Sequence, residues 1–308
     1  MIDYRKIIAS RNLRMRILGL FSWVPDKWML RIQYFLQTGS ILHLKNPKTF
    51  QEKLQVYKIS YHDPIMLQCT DKEKVREYVR KKDLSQILVP VIGVYEDVEK
   101  IDFDALPEKF VIKTSDGGGC NEVYICRNKN QENIEEIKKK LRGWISAPKS
   151  KKHIAREWAY GNEFPRKLII ENLLEEPGKN DIDDYKFYCF QGKFRFMQWH
   201  KDRHGDHRAG HCDENGKFLP EIHVDSYPTF DKAMPLPSNF KEMITIAEKL
   251  AEDFPFVRVD LYSVNEQIYF SELTFYPASG FFNYKPEGTD EWLGTFFEYP
   301  FQTPRSKL

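Results

Sequence analysis

The strongest constraint on this chain's fold is a pair of short runs near its C-terminus, Val257-Arg258-Val259-Asp260-Leu261 and Phe270-Ser271-Glu272-Leu273-Thr274, joined by a turn within 263–266. Both read as strands, and a turn this short pairs them as neighbours. Their acidic residues can then face each other across the ladder in otherwise apolar surroundings, where two carboxylates repel unless a cation lies between them. Magnesium would meet that need, and so would Arg258 or surface water. A second hairpin is expected from 185–191 and 193–200, turned at Gln191-Gly192. Further strands are expected at 87–95, 110–113 and 168–171, with helices at 131–145 and 240–252. Thr49 followed by Glu52 is the capping-box spacing that opens a helix, and another helix starts near Thr70-Asp71. This order predicts a mixed α+β fold with antiparallel hairpins and argues against a doubly wound parallel sheet.

With 308 residues, 41% hydrophobic and 30% charged, the chain is long enough for one large unit or two packed domains, which excludes wholesale disorder. Lys and Arg number 47 against 45 Asp and Glu, so no general excess of positive charge exists to hold a nucleic-acid backbone. No apolar run reaches the ~18 to 20 residues of a spanning helix, and no cleavage site follows the apolar stretch 17–24 that a signal peptide would need. The five cysteines show no CxxC spacing, which predicts a reducing compartment and hence the cytoplasm. From Tyr4 to Leu42, apolar residues recur near helical spacing with Arg and Lys between them, giving two basic amphipathic helices broken at Val24-Pro25. Such helices either pack on the body or dock on an anionic membrane face or a partner there.

Three groups carry candidate chemistry. Phe110-Val-Ile-Lys113-Thr-Ser-Asp-Gly-Gly-Gly119 places a lysine at the end of a strand before a loop with little side chain to block access, so an ammonium and several backbone N–H groups converge. Triphosphate oxygens suit that space, and so does a plain hairpin turn; the loop lacks the Lys-Ser/Thr pair of a Walker A motif. The acidic pair Asp260 and Glu272 is the second group. The third is the loop carrying His200, His204, His207, His211 and Cys212 with Lys201, Arg203 and Arg208. Its spacing touches on zinc ligation but lacks paired CxxC or HxxxH elements, so a cationic loop that grips an anionic substrate is the favoured reading over zinc, beside a merely solvated one.

These pieces, in this order, resemble the ATP-grasp superfamily and specifically its TupA-like branch. The resemblance rests on Asn46-Pro-Lys-Thr-Phe-Gln-Glu-Lys-Leu54, Asp71-Lys-Glu-Lys-Val-Arg-Glu-Tyr-Val79, the Lys113 strand with its glycines, Ile169-Ile-Glu-Asn-Leu173, Asp184-Tyr-Lys-Phe-Tyr-Cys-Phe-Gln-Gly192 and Val257-Arg-Val-Asp-Leu261. It implies two α+β subdomains gripping ATP: a helical segment over 1–45, a small pre-grasp domain over 46–100, and grasp subdomains over 101–170 and 171–308. It also implies that Lys72 and Lys113 bind phosphates under a closing loop of Ser115, Gly117, Gly118 and Gly119. Glu171, Asn172, Leu173 and Leu174 would form the adenine hinge, and Asp184 and Lys186 would lie near ribose and phosphates. Asp260, Glu272 and Thr274 would hold Mg2+, with Thr274 where most ATP-grasp enzymes have Asn. Arg258 would face the reacting carboxyl group and share the catalytic work with Lys72 and Lys113. The activity implied is a carboxylate–amine ligase of bacterial surface-polysaccharide synthesis that joins an amino acid or amino alcohol to a uronic acid. Lys201, Arg203 and Arg208 would bind that acid, and Trp199, Phe275, Tyr276, Phe281 and Phe282 would offer faces to a sugar ring. A sugar or polyol kinase, or a nucleotide-binding protein of a polysaccharide-assembly complex, is the alternative.

Overall fold

A computed structural model describes residues 17–118, 122–147, 155–161, 163–179, 181–203, 205–224 and 227–301. Gly119, His204 and the basic segment up to residue 16 lie outside the described residues. Helix α1 (Asp26–Thr38) follows Pro25 and ends at Gly39, whose φ of 74° is the left-handed geometry that closes a helix. Helix α2 (Phe50–Ser60) opens with the expected capping box: the Thr49 hydroxyl accepts the Glu52 N–H while the Glu52 carboxylate accepts the Thr49 N–H. After α3 (Pro64–Cys69), Asp71 accepts the N–H groups of Glu73 and Lys74 and so shapes the turn into α4 (Val75–Lys81).

Strands β1 (Val91–Tyr95), β2 (Phe110–Thr114), β3 (Val123–Cys126) and β4 (Leu168–Asn172) form an antiparallel sheet in the order β1-β4-β2-β3. Helix α5 (Ile134–Ser146), capped by Asn133, covers one face, where Ile137 and Leu141 join Phe110, Ile112, Leu168 and Ile170 in a small core. Strand alternation turns Val111 and Lys113 to the opposite face.

The second sheet contains β5 (Asp184–Phe190), β6 (Lys193–Lys201), β7 (Arg208–Asp213), β9 (Phe256–Val264) and β10 (Gln267–Thr274), in the order β10-β9-β5-β6-β7 and antiparallel throughout. Strand β8 (His223–Val224) pairs separately with β11 (Tyr284–Lys285), and α6 (Phe240–Ala251) packs its apolar stripe on the large sheet. The Gln191-Gly192 turn has φ of 45° and 74°, and Asn265-Glu266 has φ of 50° and 63°, the positive pairs that match a tight hairpin to strand twist. The expected irregular His/Arg loop is partly strand β7: backbone pairing to β6 organises a run whose composition signals no strand.

The hydrophobic cores divide the chain differently from the boundaries expected on sequence. Phe50 of α2 packs on Tyr188, Phe190, Phe256 and on Phe297, which follows α7 (Thr289–Phe296), so α2 belongs to the large core. Only β1 of the 46–100 stretch joins the small sheet.

Candidate active site

One face of the large sheet changes character along its strands. Toward one end Tyr188, Phe190 and Phe256 bury themselves under α2; toward the other the same alternation presents Asp184, Lys186, Arg258, Asp260, Gln198 and His200. All six are buried, and charged groups are buried only when paired or put to use. They floor a cleft of about 1240 Å³ whose opposite wall is the Val111–Lys113 face of the small sheet.

On the floor, Arg258 closes a fork onto Asp260, its Nε 2.7 Å from Oδ1 and its Nη2 2.7 Å from Oδ2. The same Nη2 reaches the Thr274 hydroxyl at 3.0 Å and the Glu272 Oε1 at 3.4 Å. Lys186 bridges Asp260 at 2.5 Å and Asp184 at 2.7 Å, and Arg203 donates to Asp184 at 2.7 Å. Burial alone raises the Asp260 carboxyl pKa, but Arg258 and Lys186 outweigh it and hold the group below the ordinary range. Asp184 Oδ1 is buried without a hydrogen-bond partner, an acceptor left for a ligand hydroxyl or water.

On the wall, Lys113 Nζ lies 2.6 Å from Glu171 Oε2, and Arg76 reaches the other carboxylate oxygen at 3.4 Å. Glu171 thus aims Lys113 while the chain beyond it, through Leu173 and Leu174, lines the cleft. Lys72, in the turn before α4, donates to the Gly117 carbonyl. Its pKa is lowered by burial first and by Lys113 further, against the pull of Glu272. Two lysine side chains meeting at one glycine loop suit an anion. A Cβ on Gly117 would sit 2.3 Å from Thr114 Oγ1, so only glycine permits this approach; Gly118 faces open space. Val89, Val111 and Ile125 add to Leu174 of the expected hinge an apolar slot; these three were missed in the sequence reading although the alternation in β2 pointed to Val111.

Several expectations are corrected. Ser115 is fully buried and bonds the Lys167 backbone, so it ties strand ends together rather than lining the cleft. Of the three basic residues assigned to substrate, only Arg203 lines the cleft. Lys201 borders a separate 270 Å³ pocket, and Arg208 is neutralised at the surface by Asp206 and Asp231, each at 3.0 Å. Trp199 and Phe275 are core residues and Phe281 packs against Tyr34 of α1, leaving Tyr276 and Phe282 of the five aromatics at the cleft. The histidines form no zinc site among the described residues. His200 pairs with His207 at 2.9 Å, while buried His211 reaches the Ile222 carbonyl and stacks on Phe196. The sequence reading also missed Arg166, which fixes Asp116 of the glycine loop at 2.7 Å.

The donors on the floor suit a hard divalent cation. Asp260, Glu272 and Thr274 offer oxygen only, and Glu272, 37% exposed, meets Arg258 at 3.4 Å and accepts the Thr274 hydroxyl at 3.2 Å through the same oxygen, which leaves its other oxygen to a ligand. Magnesium is commonly held by one or two carboxylates, the remaining positions going to water and substrate phosphate, so this pair fits it.

Antiparallel sheets facing each other across a nucleotide-sized cleft, with lysines on one side and acids on the other, define a nucleotide-grasping fold. Residues 52–298 match the family model for TupA-like ATPgrasp. The chain belongs to that family and has the ATP-grasp fold. Solved structures with similarity include D-alanine–D-alanine ligase from Bacillus anthracis (17% identity, 68% of this chain and 57% of that one, TM-score 0.40). Also similar are D-alanine–D-alanine ligase from Helicobacter pylori (13%, 75% and 61%, 0.42) and N5-carboxyaminoimidazole synthetase from Staphylococcus aureus (14%, 68% and 44%, 0.39). The chain thus spans about half of the length of these structures. No curated protein matches.

Proposed function

We propose that this protein is an ATP-dependent carboxylate–amine ligase. The observation that carries the reading is the opposition, across one cleft, of Lys72 and Lys113 at a glycine loop to Arg258, Asp260 and Glu272. ATP fits with its base in the Val111–Leu174 slot and its phosphates between the lysines and Arg258. A substrate carboxylate attacks the γ-phosphorus, ADP leaves, and an amine displaces phosphate from the acyl-phosphate to give an amide. The chain supplies charge rather than a nucleophile: Lys72, Lys113 and Arg258 neutralise oxygens that gain charge in transit, and water exclusion strengthens each contact. Magnesium, when held by Asp260, Glu272 and Thr274, would neutralise phosphate charge further.

The resemblance described above supports a uronic acid, nucleotide-linked or lipid-linked, as the carboxylate substrate of surface-polysaccharide synthesis, with an amino acid or amino alcohol as the amine. Arg203 on the cleft floor suits an anionic substrate. We place the enzyme in the cytoplasm, where the four buried free thiols Cys69, Cys126, Cys189 and Cys212 stay reduced. Mass spectrometry after incubation with ATP, magnesium, pooled uronic-acid nucleotides and amines tests the reading. ADP with an amide product is expected; a phosphorylated sugar formed without amine would replace the ligase by the kinase.

A further inference from the structure

The cleft has a corner that the nucleotide reading does not use. Its polar group is Glu157, with Tyr160 and Tyr276 close enough to feel that charge, and the cleft lining there includes Ser279 of the turn that follows Tyr276. Behind Glu157 lies Lys58, fully buried on α2, whose ammonium spends its three protons on Gln55 Oε1 at 3.0 Å, the Ser279 carbonyl at 2.8 Å and the Ser279 hydroxyl at 3.0 Å. Because Ser279 Oγ accepts from Lys58, its own proton is directed to the Glu157 carboxylate. Lys58 itself stays 3.9 Å from Glu157, close enough to balance charge but not to occupy the carboxylate.

The turn that presents Ser279 is costly. Ala278 and Ser279 have φ of 46° and 56°, a left-handed geometry that non-glycine residues avoid. Gln55 and Lys58 hold the turn by its carbonyls, Gln55 Nε2 reaching those of Ser279 at 3.1 Å and Gly280 at 2.9 Å. Strain maintained by two buried side chains beside a cleft marks a built feature rather than a slack loop. What it builds is a carboxylate fixed by a hydroxyl and still partly exposed to the cleft. The Tyr160 phenol lies within electrostatic reach of Glu157, Glu272 and Arg258, which connects this corner to the reacting end of the cleft.

We propose that Glu157, flanked by Tyr160 and Tyr276, is the subsite for the acceptor amine, which it binds as an ammonium ion and deprotonates for attack. The inference rests on the ligase reading and names the recognition group for its second substrate. A carboxylate supplies the counter-charge, and aromatic faces favour a cation over a neutral group of equal size. In the reaction Glu157 takes one proton from the ammonium, freeing the nitrogen lone pair to bond the acyl carbon. The carbon–oxygen bond to phosphate breaks, phosphate leaves with that electron pair and the second nitrogen proton, and Glu157 returns its proton to solvent. Burial raises the Glu157 carboxyl above its ordinary range, against the opposing charge of Lys58, which moves it toward the basicity a proton acceptor needs.

The test is calorimetric titration of ethanolamine into full-length protein saturated with magnesium and a non-hydrolysable ATP analogue, with ethylene glycol as the neutral isostere. The parent protein is expected to bind ethanolamine at least tenfold more tightly than the glycol. Glu157→Gln, which keeps the Ser279 contact but not the charge, is expected to lose that preference while binding the nucleotide unchanged. Equal binding of the two probes by the parent, or an undiminished preference in Glu157→Gln, overturns the proposal and leaves the nucleotide site standing. The parent comparison needs no variant to fold. Failure of the parent to bind the nucleotide at all would instead remove the ligase reading itself.

Discussion

At the scale of single residues, the site works by charges that are held but not spent. Lys113 has one ion-pair partner, Glu171, and its side chain remains 18% exposed toward the cleft. Lys113→Met keeps the apolar stem and deletes the charge; Glu171 retains Arg76, so the fold should persist. Loss of a charge-assisted contact costs roughly 1.5 to 3 kcal/mol, or about tenfold or more in ATP affinity, measured by calorimetry. Lys72→Met should behave alike, and Lys139→Met, on an exposed face of α5, should change little. Parent-like ATP binding by Lys113→Met would show the nucleotide site to be misplaced. Glu272→Gln keeps shape but removes a ligand charge, so turnover should fall steeply with thermal stability intact; near-normal activity at limiting magnesium would remove Glu272 from the metal site. A different carboxyl carries a pH signature of folding. Burial raises Asp290 from 3.8 to about 6, although it accepts the Gln51 N–H at 3.1 Å. Between about pH 4 and 6 the folded protein therefore keeps a proton that the unfolded chain has lost, and stability present at the lower pH falls as pH rises. Asp290→Asn should flatten that slope relative to the parent in urea unfolding over the range; an unchanged slope would assign it to other groups.

At the scale of elements, alternation and turn chemistry were legible in sequence because each is local. Val257-Arg-Val-Asp-Leu261 announces a strand with one charged face, Gln191-Gly192 a hairpin, and Thr49 with Glu52 a helix start, and all three form. Long-range placement was not legible. Nothing in Arg208-Ala-Gly-His-Cys-Asp213 marks β7, which exists because β6 offers an edge, and nothing local says that Ser115 turns inward. Glu157 escaped the sequence reading because it has no motif; it acquires meaning only when α2 brings Lys58 behind Ser279. The close approach of α7 to α2 is another such fact. A Cβ on Gly294 would lie 2.2 Å from the Lys48 carbonyl oxygen and 3.0 Å from the Phe50 nitrogen, both backbone atoms that cannot swing aside. Gly294→Ala should therefore destabilise by roughly 1 to 3 kcal/mol or more through overpacking. A melting temperature within a degree of the parent would mean that the two helices separate without cost.

At the scale of the whole molecule, the two sheets face each other across the cleft while α1 lies apart from the cores of both sheets, seated through Leu30 and Tyr34 on a separate cluster with Leu42. Its outer face is apolar too: Trp28, Ile32, Phe35 and Leu36 are exposed at helical spacing, with Trp23 78% and Trp28 63% accessible and Leu20 and Ile41 at either end. Scattered exposed apolar residues need no explanation, but eight large ones on one short segment do. Arg31 lies over the Trp28 ring at 5.4 Å, and five Arg and Lys residues occur within 1–16 of the sequence. Aromatic residues beside basic charge are the composition of a surface that rests at the headgroup level of an anionic bilayer, and no helix of the described residues is long and apolar enough to cross one. We propose that this face docks on an anionic membrane surface. Each Lys or Arg near an anionic surface contributes about 1 kcal/mol, attenuated by salt, and the aromatic face adds a salt-insensitive part. Sedimentation with phosphatidylglycerol vesicles should show binding that weakens, without vanishing, as salt rises, and a Trp23→Ala, Trp28→Ala double variant should abolish the part that survives high salt. Absence of binding at low salt would restrict α1 to packing on the body of the protein.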